Sequence, residues 1–136
     1  MTEVSINIFA VLVCGIVALA IGALWYGPIF GKLWMKGYGF TEDDLRKDFN
    51  SAKTYGLAVV AHIIAAYVLA YLIGYLNAYS VSGAFHTAFW SWLGFVMMPM
   101  FINALFSRKN LATVFIETGY FLVFFILASL IIALWV

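Results

Sequence analysis

The amino-acid sequence predicts an all-α integral membrane four-helix bundle, with a short interfacial helix and a capped helix in its first cytoplasmic loop. Three observations predict it. Of 136 residues, 66% are hydrophobic and only 10% charged, whereas a soluble domain is about half apolar and about a quarter charged. A water-soluble fold of this length leaves too much surface exposed to hide that excess. Four separate apolar runs are each long enough to cross a bilayer, which takes about 20 residues at a rise of about 1.5 Å. Finally, every Lys and Arg falls in only two of the connections between those runs.

The first helix is expected from about Ile6 to Tyr26, ended by Gly27-Pro28 because proline cannot continue the hydrogen-bond ladder. Its leader, MTEVSIN, carries Glu3 and no basic residue. It lacks the basic start of a cleavable signal and reads as part of a retained helix. Residues 27–54 form the longest connection. In it, Ile29, Phe30, Leu33 and Trp34 share one helical face while Lys32 and Lys36 take another, the pattern of a two-turn helix lying in the membrane interface. After Gly37 and Gly39, Thr41 is the expected N-cap of a further short helix, with Asp44 three residues on. Glu42, Asp43, Asp44 and Asp48 admit a divalent-cation reading. The run lacks the glycine and spacing of a calcium loop, however, and capping accounts for the same residues.

The second helix is expected from about Tyr55 to Leu76, the third from about Ala84 to Phe106, and the fourth from about Leu111 to Val136. The turns Asn77–Gly83 and Ser107–Asn110 are short, which makes successive helices antiparallel neighbours. Residues 1–136 thus read as one transmembrane domain. No internal repeat supports an inverted-repeat transporter within one chain.

Orientation follows from charge. Lys32, Lys36, Arg46, Lys47 and Lys53 lie in the first loop and Arg108 and Lys109 in the third; the tails and the second loop have none. The positive-inside rule makes loops one and three cytoplasmic and puts both termini outside, as in a bacterial inner (plasma) membrane. Trp25, Tyr26, Trp34, Tyr38 and Tyr55 flank the cytoplasmic side as headgroup-level rings do, and Tyr75, Tyr79, Trp90 and Trp135 flank the outer side.

The segment GALWYGPIFGKLWMKGYGFTEDDL (22–45) resembles the signature region of the membrane family catalogued as domain of unknown function 1761. WLGFVMMP (92–99) and TGYFLVFFILASLIIALW (118–135) are similar to its second half, in the expected order. The resemblance implies a small polytopic membrane protein of four helices. It brings no catalytic residues and no mechanism with it.

Ionisable groups inside a bilayer are costly and face protein or water. His62, His86 and Glu117 qualify. His86 lies one turn inside the outer end of the third helix, where snorkelling accounts for it. Glu117 lies about 10 Å in from the cytoplasmic end of the fourth helix, His62 about 13 Å in on the second and Pro99 about 12 Å in on the third. Three helices thus put unusual residues at one depth.

Ala58, His62, Ala66, Ala70 and Gly74 recur at every fourth position, a small-residue ridge that lets helices approach, and Cys14, Ala18 and Gly22 offer its counterpart on the first helix. Pro99 leaves the carbonyl of Phe95 free for another donor, and Asn103 adds a polar group one turn on. Desolvation disfavours an unpaired carboxylate at this depth, so Glu117 needs a partner; Thr113, His62 and a neighbouring subunit are the options. His62 reads equally as a hydrogen bond locking two helices, and Pro99 as a kink.

The net charge of +1 gives no basic face for nucleic acid. One cysteine, Cys14, makes no internal disulfide and no metal cluster. Nucleophile–base pairs, phosphate-binding glycine loops and metal-ligand spacings are absent from the sequence, which therefore points to no enzyme and no cofactor. Two functions remain. The first is a small oligomeric channel or transporter handling protons or small cations through a polar site around Glu117 and His62, with Pro99, Asn103 and Thr113 in support. The alternative is a non-catalytic accessory subunit of a larger membrane complex. Membrane lipid is a partner in either case.

Overall fold

The computed structural model describes residues 4–135. Residues 1–3 of the leader and Val136, which the sequence assigns to the end of the fourth helix, lie outside the described residues. Four helices are long and apolar enough to cross a membrane: Ile8–Ile29, Ser51–Leu76, Val81–Ser107 and Leu111–Leu134. The first span is α1 (Ile8–Leu24) followed by a wide π-helical turn over Trp25–Ile29. The connection after it carries α2 (Gly31–Tyr38) and α3 (Glu42–Arg46). The second span is α4 (Ser51–Leu76). The third is α5 (Val81–Trp92), a second π-turn over Leu93–Met97 and α6 (Met98–Ser107); the fourth is α7 (Leu111–Leu134). No strand occurs among the described residues.

Each span starts where a polar side chain caps it. The side-chain oxygens of Asn7, Asn50, Ser80 and Asn110 accept from the backbone N–H of Ala10, Lys53, Gly83 and Ala112 at 2.8–3.3 Å. A capped N-terminus satisfies donors that have no partner within the helix. That is why the second and third spans begin at Ser51 and Val81, ahead of the apolar runs that hydropathy alone marks.

Gly27-Pro28 does not end the first helix. The backbone widens around Pro28, and the N–H of Phe30 reaches five residues back to the carbonyl of Trp25 at 2.8 Å. Pro99 is handled in the same way. Just ahead of it, the Met98 N–H bonds the carbonyl of Leu93, again five residues back. A proline ring collides with the carbonyl four residues before it, and a π-turn gives the ladder the slack to continue past it.

Helix α7 is the centre of the bundle, packed by α1 and α4 on one side and by α5 on the other. Its neighbours donate to its carbonyls: Trp25 Nε1–H to Ile116 at 2.7 Å, Trp92 Nε1–H to Thr118 at 2.7 Å and Cys14 Sγ to Ala128 at 3.7 Å. Lipid tails are as apolar as Leu, so close packing and such bonds hold membrane helices together. The core is accordingly built from small residues, among them Ala10, Cys14, Ala18, Ala66 and Ala70, all buried. Helices α1 and α4 pack closely on each other. At Gly15, which sits against Ile63, an added Cβ would lie 2.6 Å from Ile63 Cγ1.

In α3 the capping box is present. Thr41 Oγ1 accepts from the Asp44 N–H at 3.1 Å, and Asp44 Oδ2 accepts from the Thr41 N–H at 2.9 Å. These bonds, the backbone one first, hold the Asp44 carboxyl below the usual aspartate range. A depressed carboxylate stabilises its helix above its unfolded pKa, and the contribution is lost as pH falls through the lowered value. The protection of the Asp44 and Leu45 amides, taken relative to the intrinsic exchange rate at each pH, is therefore expected to fall only on acidification into that range. Asp44→Asn should remove most of this pH dependence while leaving the four spans protected.

Candidate functional site

Toward the end of the bundle that carries the basic residues, a space is left between α1, α4 and α7. Ala18, Gly22 and Ala58 are too small to fill the space, and a cavity of about 850 Å³ opens between α1, α4 and α7. Leu19 and Tyr55 line it and are themselves exposed, so it opens sideways between the first and second spans. Most of its wall is apolar. The polar groups it presents belong to Tyr26, Tyr55, His62, Glu117 and Tyr120.

His62 and Glu117 therefore line one cavity without touching each other. Tyr120 stands between them. It follows Glu117 by three residues on α7, hence on the same face about one turn further in, and its hydroxyl lies 2.8 Å from His62 Nε2. The other imidazole nitrogen, Nδ1, lies 2.7 Å from the carbonyl of Ala58. A carbonyl only accepts, so Nδ1 carries a proton. The Tyr120 hydroxyl also reaches the carbonyl of Ala18, at 3.1 Å. The rings of Phe124 and Phe121 pack on His62, at centroid distances of 4.8 and 6.4 Å, and fix its position.

This arrangement serves two proton counts with the same atoms in the same places. With one proton, on Nδ1, His62 accepts at Nε2 from the Tyr120 hydroxyl. With a second, on Nε2, His62 donates to the Tyr120 oxygen and the phenol proton turns to Ala18. A phenol can both donate and accept, so His62 keeps two partners in either state.

Glu117 has partners of its own. Its Oε1 accepts from Lys109 Nζ at 3.0 Å and its Oε2 from the Tyr38 hydroxyl at 2.9 Å. The carboxylate side chain is 17% exposed and the lysine 29%, so water screens the pair only in part. Lys109 also sits over the Tyr38 ring, 5.0 Å from its centroid. Its ammonium is held above the usual lysine range, first by Tyr38 and then by Glu117, against desolvation. The stabilisation from such a raised group is complete below its unfolded pKa and is lost only as pH rises through the raised value.

Helix α2 makes this possible by folding back over the start of α7. Gly37 lies so close to Thr113 that an added Cβ would overlap the threonine Oγ1, and this approach delivers Tyr38 to Glu117. The Trp34 ring turns inward, packing on Tyr26 at 5.6 Å and Tyr38 at 5.1 Å. Ile29 and Leu33 stay exposed.

The remaining sequence candidates divide. Thr113 is buried, as the packing partner of Gly37 and not as a cavity wall. Pro99 and Asn103 lie on the exposed face of the third span, away from the cavity. The sequence puts Pro99 at one depth with His62 and Glu117, but rotation about the helix axis separates it from them. Tyr120, Tyr38, Lys109 and Tyr26 were not legible as site residues. The three-residue spacing from Glu117 to Tyr120 is the one local signal that pointed to any of them.

No curated protein and no solved structure matches this chain. A family model does match, over residues 9–133, which is nearly the whole chain and runs from the first span to the last. The chain belongs to that family, described as Protein of unknown function (DUF1761).

Proposed function

We propose that this membrane protein is a small, non-enzymatic transport protein that moves protons through the site formed by His62, Tyr120 and Glu117. The observation that carries the proposal is the fixed position of His62 between the Ala58 carbonyl and the Tyr120 hydroxyl. That hydrogen-bond set has a partner for one or two imidazole protons with only the phenol proton turning, and it faces a cavity shared with a membrane carboxylate. Intramembrane ionisable groups mark ion and proton paths, and histidine is the side chain suited to exchange a proton near neutral pH.

In this reading the basic end is cytoplasmic and both termini lie outside, as the distribution of Lys and Arg supports. The protein works as an assembly, either with further copies of itself or within a larger complex. The third span supports association: only 11% of its most apolar stretch is buried, and Phe95 and Phe106 stand 81% and 85% exposed. That same surface favours the second reading, an accessory subunit docked through its third span with no flux of its own.

The test is proton flux into proteoliposomes under an imposed pH gradient. His62→Gln keeps a side chain able to hydrogen bond but unable to gain a proton. It is expected to lower flux about tenfold or more while the protein remains folded in detergent. Equal flux in wild type and His62→Gln would remove His62 from the path. Absence of flux in both would favour the accessory-subunit reading.

A further inference from the structure

The cavity beside Glu117 is built for more than a proton. A hard inorganic cation takes roughly six oxygen ligands, whereas the side-chain oxygens on this wall are those of Glu117, Tyr26, Tyr55 and Tyr120. The rest is aromatic ring and small aliphatic residue. Its volume, about 850 Å³, lies within the range of roughly 300–1,000 Å³ that organic ligands occupy.

We infer that the cavity binds an amphiphilic monovalent organic cation, with its charge beside Glu117 and its apolar body against Tyr26, Tyr55 and Phe121. The inference rests on the proton-transport proposal and names what shares that site with the proton. Four observations carry it. A carboxylate only accepts hydrogen bonds, and of the Lys109–Glu117 pair only Glu117 lines the cavity, so the charge nearer the ligand favours a cation or a donor over an anion. Aromatic rings attract cations through their quadrupole, and three tyrosines and Phe121 line the cavity with the carboxylate. The opening lies between exposed Leu19 and Tyr55, so an amphiphile reaches the site from the bilayer. Lastly, Lys109 and Tyr38 hold the carboxylate without lining the cavity. An ionised carboxylate offers about four acceptor directions, which leaves some free for the ligand.

The geometry makes the ligand a competitor of Lys109 for the Glu117 carboxylate.

Two probes of one shape and opposite charge test this on the wild-type protein. Tetraphenylphosphonium and tetraphenylborate are each dialysed to equilibrium against the detergent-solubilised full chain, with empty micelles as the reference. Saturable phosphonium binding at least tenfold tighter than borate binding is expected. Glu117→Gln should weaken phosphonium binding about tenfold. Tyr55→Leu, at the exposed lip where folding is not at stake, should weaken it about two- to fivefold, the size of a partly exposed cation–π contact. Equal affinity for the two ions, uptake no greater than that of empty micelles, or binding indifferent to both substitutions would overturn the inference. Proton flux without saturable phosphonium binding refutes the ligand and leaves the transport proposal intact. Glu117-dependent binding without proton flux does the reverse.

Discussion

Glu117→Gln is expected to reduce proton flux in proteoliposomes by more than tenfold, a larger loss than from any other single substitution here. The amide has nearly the same shape as the carboxylate and still accepts from Tyr38. It carries no charge for Lys109 and exchanges no proton. Stability should change little by comparison. The Lys109–Glu117 pair is partly open to water, and pairs of that kind contribute about 1 kcal/mol or less. Near neutral pH Lys109 is charged in the wild type, where Tyr38 first and then Glu117 hold its proton above the usual lysine range, and an ordinary lysine, at about 10.4, is charged there too. A lost flux is therefore not a lysine titration. Measuring thermal unfolding beside flux separates the two readings of the protein. Flux lost with the unfolding temperature nearly unchanged supports a transport path through Glu117. A shifted unfolding temperature or a lost co-purifying partner, with no flux in the wild type, supports a structural subunit.

Gly37→Ala should destabilise the protein by about 1–3 kcal/mol, the usual cost of forcing extra volume into a packed contact. Alanine is the better helix former by about 1 kcal/mol, so propensity alone predicts the opposite sign. The contact decides it. A Cβ at position 37 would overlap Thr113 Oγ1 and lie 3.1 Å from Thr113 Cβ. Rotation about χ1 moves the first atom but not the second, which is fixed to the backbone of the central helix. Helix α2 must lift away, and Tyr38 then loses its 2.9 Å bond to Glu117. Flux should fall together with stability. Gly56→Ala in α4 is the matched control. Nothing lies within 4 Å of its added Cβ, so it should be neutral or stabilising by up to about 1 kcal/mol. Thr113→Ala in the Gly37→Ala background should restore part of the loss, since residues in contact are not additive. Thermal unfolding of the three variants and the wild type in one detergent checks the whole set. Equal effects at positions 37 and 56 would contradict the packing of α2 on α7.

How far the site was legible depends on the kind of information each residue carries. His62 and Glu117 stood out because an ionisable group in an apolar run is visible in one dimension, as is the ridge Ala58–His62–Ala66 that turns His62 toward protein. Tyr120 did not stand out, because a tyrosine in a membrane helix with 13 Phe and 8 Tyr along the chain looks like packing. Lys109 was counted for the charge it gives its loop, and Tyr38 as a ring at headgroup level. Both readings are compatible with the sequence, and neither reveals a bond to Glu117. Pro99 joined the expected site on depth, which fixes position along a helix but not around it, and Asn103 joined it as a polar group one turn on.

The sequence by itself determined that four helices are long and apolar enough to span, that Thr41 caps the short helix after Gly39, and which end of the bundle gathers the basic residues. Those are local properties: hydropathy, length, the reach of a Thr side chain to the next turn, and the count of charges in each loop. Only the tertiary structure decided which helix is central, that both prolines are absorbed in π-turns, and that α2 folds back to bring Tyr38 onto Glu117. The physical reason is the solvent. In water a helix shows its buried side by the period of its apolar residues, whereas in lipid every side is apolar. Rotation about the axis is then set by contacts such as Gly37 on Thr113 and Trp25 on Ile116, which join residues distant in the chain and leave no period to read.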